Sequence, residues 1–248
     1  RHYGVAAHRQ AAMRAKIERD YHYQARPDAI GYADGAVWEL GGSRVRAFHM
    51  PGHTAGHTVL LVEPEHPGGA WSILAWCWLP DEGLADLAQR DRVDYAAWKR
   101  AGYLETTPGR AISKRAVLQR VAQICSEFDV QGIAADRWRL EDFQQQATDD
   151  GISLPALLPF GQGFKDMSPA IDAFETAILN RTVQHNGHPV LTWCAANAVT
   201  DSDPAGNRKL NKAKATGRID LVVAAVMAYA SASPSANNSE QSWWEVEA

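Results

Sequence analysis

The chain has 248 residues, 46% of them hydrophobic, and a formal net charge of −4. This size allows a buried core in one large domain or two small ones. The negative charge excludes a general electrostatic attraction to nucleic acid, so such binding would need a local basic patch. The three widely spaced cysteines form no Cys-x-x-Cys pair, which indicates free thiols in a reducing cytosol. No apolar run reaches the roughly 18 residues of a membrane span. We therefore expect a cytoplasmic protein without a membrane partner.

Residues 1–67 form the first predicted unit. Its helix-forming stretch, Val5–Tyr23, ends before Pro27, because proline cannot continue a helix. Short strands separated by glycine turns follow and predict a small β-meander. These strands are Ala36–Leu40, Ser43–His49 and Thr58–Val62.

The end of this meander carries three histidines, His49, His53 and His57. Imidazoles beside a glycine turn are typical of zinc sites. The stretch Pro-Gly-His-Thr-Ala-Gly-His, from Pro51 to His57, resembles a motif of the metallo-β-lactamase superfamily. The resemblance implies that His53 binds metal. However, the family's His-x-His-x-Asp-His motif, which supplies most ligands, is absent, and a structural turn with polar histidines is the alternative.

Residues 68–230 form the second predicted unit. An apolar strand, Ala70–Pro80, precedes residues 81–102, whose apolar positions have helical spacing. An amphipathic helix over Ser113–Phe128 leads directly into a strand that ends at Asp136. This alternation predicts an α/β fold with a mixed sheet flanked by helices. Residues 231–248 have the composition of a flexible C-terminal tail.

Two aspartates are candidate catalytic and metal-binding residues. Asp136 ends a buried strand, the position at which open α/β sheets place their chemistry. Asp220 begins the apolar run Leu221–Ala228, which predicts a buried helix. Two carboxylates that meet inside a fold favour a divalent cation between them. The alternatives are a helix N-cap for Asp136 and an exposed helix face for Asp220.

A basic run precedes Asp220. Between Pro204 and Ile219 there are five cations and no acid, a pattern that most often marks a solvated loop. Because the run ends beside Asp220, it also suits contacts to the phosphates of DNA. The candidate DNA-binding residues are Arg208, Lys209, Lys212, Lys214 and Arg218.

Residues from about Trp71 to Tyr229 resemble the nuclease domain of the terminase large subunit of tailed phages. The matching motifs, in order, are Trp78-Leu-Pro80, Gly102–Gly109, Ala135-Asp-Arg-Trp138, Pro159–Phe164, Trp193 with Asn197, Asp203–Asn207, the basic run and Ile219-Asp220. The resemblance implies a ribonuclease-H-like fold and cleavage of double-stranded DNA by two Mg²⁺ or Mn²⁺ ions. It also implies that Asp136 and Asp220 are metal ligands, with the phage portal and the small terminase subunit as partners in DNA packaging and concatemer cleavage.

The chain departs from that family at the first strand. The family's third metal-binding aspartate aligns near Met50, and no acid occurs between Glu39 and Glu63. His53 or His57 would supply a nitrogen ligand there, although imidazole favours zinc-like metals over Mg²⁺. The ATPase motif Gly-x-x-x-x-Gly-Lys-Ser/Thr is also absent. We therefore expect weak metal binding and low or no nuclease activity. A metallo-β-lactamase-like hydrolase and a catalytically dead DNA-binding module are the alternatives.

Overall fold

The computed structural model describes residues 45–51, 56–64, 69–128, 130–137 and 140–232, all within a compact unit that begins at Leu40. The described strands are β1 (Val45–Pro51), β2 (Gly56–Val62), β3 (Trp71–Pro80), β4 (Glu105–Thr107), β5 (Val130–Asp136), β6 (Leu157–Phe160), β7 (Val183–His185), β8 (Thr200–Ser202) and β9 (Arg208–Leu210). The described helices are α1 (Leu84–Asp91), α2 (Tyr95–Arg100), α3 (Lys114–Glu127), α4 (Leu140–Asp149), α5 (Phe164–Leu179), α6 (Pro189–Ala196) and α7 (Asp220–Ala232). None of these helices has the length and apolar character of a membrane span.

Seven of the described strands form one mixed sheet, in the order β4-β3-β2-β1-β5-β6, with β7 also paired to β3. The hairpin β1–β2 and the pair β2–β3 are antiparallel, whereas β5 runs parallel to β1 and to β6. β1 and β2 are therefore inner strands of the sheet. The strands β8 and β9 form a separate antiparallel pair.

Both faces of the sheet are covered by helices. Along β2, Val59 and Leu61 belong to the apolar cluster that contains α7, whereas Leu60 and Val62 pack with α3 on the opposite face. This alternation follows from the two-residue period of a strand, and burial on both faces explains the continuous apolar run of β2. The predicted mixed sheet flanked by helices is confirmed.

Helix α7 is the centre of one helical layer. All its residues from Leu221 to Ala230 are buried, because the helix contacts the strands β1 and β2 as well as the helices α5 and α6. A helix that is apolar on every side can be stable only when it is surrounded in this way. Since Asp220 is its first residue, the packing of α7 fixes where that carboxylate lies.

The sequence predicts a helix that begins at Ser168 with proline at its first position, and the structure differs. Helix α5 begins four residues earlier, at Phe164, and contains Pro169 in its interior. Ser168 is buried and its hydroxyl accepts a hydrogen bond from the backbone N–H of Arg208, 3.0 Å away. The serine therefore joins α5 to β9 instead of capping the helix.

Trp78 is the largest side chain in the core on the α3 face of the sheet, and it is 2% exposed. Its Nε1 donates a hydrogen bond to Glu105 Oε2 at 2.7 Å, and Arg120 Nε donates to the other oxygen of Glu105 at 3.2 Å. We expect Trp78→Ala to lower the free energy of unfolding by roughly 3–5 kcal/mol, because it leaves a large cavity. Urea unfolding measures this change.

Two control variants separate the contributions to that loss. Trp78→Phe keeps most of the apolar contact but removes the donor to Glu105, so we expect a smaller loss of about 1–3 kcal/mol. Leu179, which is 82% exposed, should tolerate Leu179→Ala within about 0.5 kcal/mol. Equal unfolding free energies for Trp78→Ala and Leu179→Ala would contradict the structural role of Trp78.

Candidate active site

The candidate site lies at one edge of the sheet, here the edge formed by the ends of the strands, where β5 ends and β2 begins. Asp136 is the last residue of β5, two positions after Ala134, which is buried in the α7-facing cluster. Residues two apart on a strand share a face, so Asp136 is on the α7-facing side. In β1, Phe48 pairs with Ala134 and Met50 pairs with His57. Asp136 and His57 are thus separated by two strand spacings, or about 10 Å.

Asp220 reaches the same face from the start of α7. It lines a small cavity together with His57, Cys77 and Leu79, which belong to the ends of β2 and β3. His57 is 1% exposed. Both candidate acids therefore lie at the same edge and on the same face of the sheet, as a shared site requires.

The Asp220 carboxylate is surrounded by positive charge. Lys212 Nζ donates a hydrogen bond to Asp220 Oδ1 at 2.6 Å, and the Asp220 side chain is 15% exposed. Burial would raise the pKa of Asp220, but charge interactions with His57, Lys212 and Arg218 outweigh it and hold the pKa below its ordinary value. The carboxylate is therefore ionised at neutral pH, which is the form that binds a cation.

Asp136 is oriented by a residue that the sequence did not single out. Gln162 Nε2 donates a hydrogen bond to Asp136 Oδ2 at 3.1 Å. Gln162 follows β6, the parallel neighbour of β5, in which Phe160 pairs with Asp136. Its place directly after the carboxyl end of a parallel strand was the available signal, because such ends meet at one edge of a sheet.

The basic run does not form one uniform surface. Arg208 pairs with Asp172 and Glu175 on α5 and so fastens β9 to that helix. Lys214 pairs with Asp201, with its Nζ 2.5 Å from the carboxylate. Lys209 Nζ lies 4.6 Å from the centre of the Phe164 ring.

Arg218 differs from the other cations because it is mostly buried. Its side chain is 13% exposed, and its Nε lies 2.9 Å from Asp91 Oδ2. Lys212 and Lys214 are exposed, with side chains 46% and 64% accessible, and Lys209 is half-buried. Arg208, Lys214 and Arg218 of the basic run are therefore paired with acids from other elements of the fold.

The carboxylates of Asp136 and Asp220 are hard oxygen donors, the ligand type that Mg²⁺ and similar divalent cations prefer. Among the residues that the structure describes, no three His, Cys, Asp or Glu side chains group closely enough to form a metal cage. Mg²⁺ does not need such a cage, since it is usually bound by one or two carboxylates, waters and substrate phosphates. His53 lies outside the described residues, and Met50 is the residue of β1 beside the site.

Comparison with known proteins agrees with this fold. The family model of the terminase large subunit endonuclease domain matches residues 66–236. The large terminase subunit of Enterobacteria phage HK97 is 46% identical over 175 residues, which cover 71% of this chain and 34% of that protein. Its crystal structure matches with a TM-score of 0.70 at 42% identity, covering 75% of this chain and 39% of the HK97 chain. The chain therefore belongs to the family of terminase large subunit endonuclease domains, and it spans about a third of the HK97 protein's length.

More distant proteins also match. Protein YmfN of Escherichia coli K12 is 23% identical over 164 residues, covering 64% of this chain and 35% of that protein. The large terminase nuclease of the thermophilic phage G20c, solved with bound magnesium, is 12% identical with a TM-score of 0.48, covering 76% of this chain and 82% of that one.

The metallo-β-lactamase interpretation of residues 1–67 is not supported. The short histidine motif on which it rests spans the β1–β2 hairpin, and these strands are inner strands of the nuclease sheet. Val59 and Leu60 of β2 are fully buried on opposite faces of that sheet. A short glycine- and histidine-rich sequence motif therefore resembled a family to which the surrounding fold does not correspond.

Proposed function

We propose that this chain is a metal-dependent DNA endonuclease domain in which Asp136 and Asp220 bind Mg²⁺ or Mn²⁺. The observation that supports this most directly is the position of both acids at one edge and on one face of the sheet. They come from elements 84 residues apart in the chain (220 − 136) that approach each other only in the fold. Hard carboxylate oxygens are the ligands that these ions prefer.

Each residue of the site has a distinct role in this proposal. Asp136 and Asp220 hold the ions, and the hydrogen bond from Gln162 orients the Asp136 carboxylate. When bound, the ions supply an activated water and stabilise the leaving oxygen at the scissile phosphate. Lys212 Nζ lies 2.6 Å from Asp220 Oδ1, so this lysine would place a positive charge beside the site, where it can bind a substrate phosphate.

Metal binding in this chain should be weak. The described part of the site offers two carboxylates, and the β1 position beside them is Met50 instead of an acid. With fewer protein ligands, more of the ion's coordination must come from water and from the substrate phosphate. We therefore propose low cleavage rates that rise with Mn²⁺ concentration into the millimolar range.

The proposed substrate is double-stranded DNA, which the lysines Lys209, Lys212 and Lys214 contact through phosphates. In its biological setting the domain would act as part of a longer terminase large subunit in the host cytoplasm. There it would cut concatemeric DNA during packaging, with the portal and the small terminase subunit as partners.

Incubation of the chain with supercoiled plasmid tests the proposal. We expect nicked and linear products with Mn²⁺, fewer with Mg²⁺, and none with EDTA, because the carboxylates cannot activate water without a cation. Agarose gel electrophoresis measures the products over time. DNA binding measured over a range of salt concentrations runs in parallel. Salt-sensitive binding without cleavage at any Mn²⁺ concentration would contradict the endonuclease and leave a DNA-binding module.

A further inference from the structure

A buried ion pair joins helix α1 to the loop that precedes α7. Arg218 Nε lies 2.9 Å from Asp91 Oδ2, and the two side chains are 13% and 11% exposed. The hydroxyl of Tyr95 donates a hydrogen bond to the same Asp91 oxygen at 2.7 Å and lies 3.2 Å from Arg218 Nε. Asp91, Tyr95 and Arg218 thus form a closed triangle of contacts. We call this set the Asp91 triangle.

The Asp91 triangle is charged and rigid. Burial would raise the pKa of Asp91, but hydrogen bonds from Arg90, Tyr95 and Arg218 outweigh it and lower the pKa to about 2. Tyr95 is 1% exposed, and its ring packs edge-on against Trp98 and Trp193 at centroid distances of 5.6 and 6.2 Å. The anchor for Arg218 is therefore ionised at neutral pH and fixed by aromatic packing.

Arg218, one member of the triangle, lies two residues before Asp220 in the chain. Between Arg218 and Asp220 is Ile219, which is 1% exposed, so the chain here has little freedom. Gly217 packs closely as well, since a Cβ at this position would lie 2.6 Å from Asn197 Nδ2 and 3.0 Å from Trp193 Cζ2. Arg218, Tyr95 and Asp220 also line the same cavity. The backbone that carries Asp220 is therefore held by contacts made by the residues just before it.

We propose that Asp91 and Tyr95 are positioning residues for the metal-binding carboxylate Asp220, and that they act by clamping Arg218. This inference rests on the proposed function, because it assigns Asp220 to the metal site. Asp91 and Tyr95 themselves touch neither substrate nor ion. Their role is to fix the backbone before Asp220, so that its carboxylate meets the cation in one geometry. Groups that orient a ligand in this way are typically worth 10–100-fold in metal affinity or activity.

Mn²⁺ binding to the full chain tests the role of the triangle without depending on catalysis. The disappearance of the free Mn²⁺ signal in electron paramagnetic resonance gives the dissociation constant for the wild type and for Asp91→Asn, Tyr95→Phe, Asp220→Asn and Asp81→Asn. We expect Asp91→Asn to weaken Mn²⁺ binding by roughly tenfold or more. Tyr95→Phe, which keeps the ring and loses only the hydroxyl, should weaken it less, by about threefold, as the loss of a single hydrogen bond predicts.

Asp81→Asn is the matched control. Asp81 also accepts a hydrogen bond from a cation, Lys99 at 2.6 Å, but its side chain is 54% exposed and it is not part of the triangle. We expect its Mn²⁺ affinity to equal that of the wild type. Circular dichroism and the thermal midpoint establish that each variant is folded, and should Asp91→Asn not fold, Tyr95→Phe decides the question.

The outcomes separate the two proposals. If the wild type binds no Mn²⁺, or Asp220→Asn binds it equally well, the proposed metal site is wrong. If Asp220→Asn loses Mn²⁺ while a folded Tyr95→Phe or Asp91→Asn keeps the wild-type affinity, the positioning role is overturned and the metal site stands. A loss of affinity in Asp91→Asn and Tyr95→Phe, with none in Asp81→Asn, supports the inference.

Discussion

Asp136→Asn and Asp220→Asn are each expected to lower Mn²⁺-dependent DNA cleavage by at least about 100-fold, the upper end of what loss of an outer-sphere partner costs. The change keeps the size of the side chain and removes only its negative charge. At Asp136 it also leaves the hydrogen bond from Gln162 without its charged acceptor, and at Asp220 it removes the partner of Lys212. Initial rates of plasmid nicking at a series of Mn²⁺ concentrations measure the effect.

An exposed aspartate away from the site provides the control for these two variants. Asp149 lies on α4. Among the hydrogen bonds described, its carboxylate accepts one from Gln145 of the same helix, at 2.8 Å. Asp149→Asn should cleave DNA at the wild-type rate. Cleavage that stays undiminished in both Asp136→Asn and Asp220→Asn would mean that the chemistry occurs elsewhere. Equal loss in all three variants would show an effect on DNA binding or folding instead.

Met50→Asp is expected to raise Mn²⁺ affinity and the cleavage rate by about tenfold or more. Removing a group that supports a metal site typically lowers affinity by this factor, so adding a ligand should raise it to a similar extent. Residue 50 pairs with His57 and lies two positions beyond the pairing of Phe48 with Ala134, so it is level with Asp136. The terminase family's third metal-binding aspartate aligns near this position in the sequence, so we expect an acid introduced here to act as a third ligand. A third oxygen ligand reduces the number of coordination positions that water must fill.

The thermal midpoint gives a second measurement for Met50→Asp. Without metal, a third acid beside Asp136 and Asp220 should destabilise the fold through charge repulsion. With Mn²⁺, tighter binding should raise the midpoint more than in the wild type, because ligand binding stabilises the folded state by RT ln(1 + [L]/Kd). Met50→Asn, which has nearly the same shape and no charge, should show neither effect. A folded Met50→Asp with wild-type affinity would mean that an acid at position 50 does not act as a metal ligand.

Periodicity in the sequence was sufficient for the elements around the site. The amphipathic spacing of Val117, Val121 and Ile124 predicted α3, and the apolar run that ends at Asp136 predicted β5, within one or two residues of the observed limits. Both patterns are local, since burial on one helix face or both strand faces is recorded in the order of apolar residues. The predicted start of α5 was wrong. Ser168 and Pro169 have strong local preferences for the start of a helix, but in the fold Ser168 accepts a tertiary hydrogen bond and lies inside α5.

The basic run shows what local patterns omit. From the sequence its five cations are equivalent, and their charge suggests one phosphate-binding loop. In the fold, Arg208 bonds to acids of α5 and Arg218 is buried against Asp91, more than 120 residues away in the chain. Their partners come from distant elements, so no window of the sequence contains both halves of these ion pairs.

The sequence by itself determined the alternation of strands and helices, the family to which residues 66–236 belong, and the two acids Asp136 and Asp220 as candidates. Only the tertiary structure decided that β1 and β2 are inner strands of the same sheet, that both acids share one edge and one face, and that Gln162, Lys212 and the Asp91 triangle surround them. The reason is physical. Secondary structure follows from burial patterns along a few neighbouring residues, whereas a site is made where strand order and helix packing bring distant side chains together.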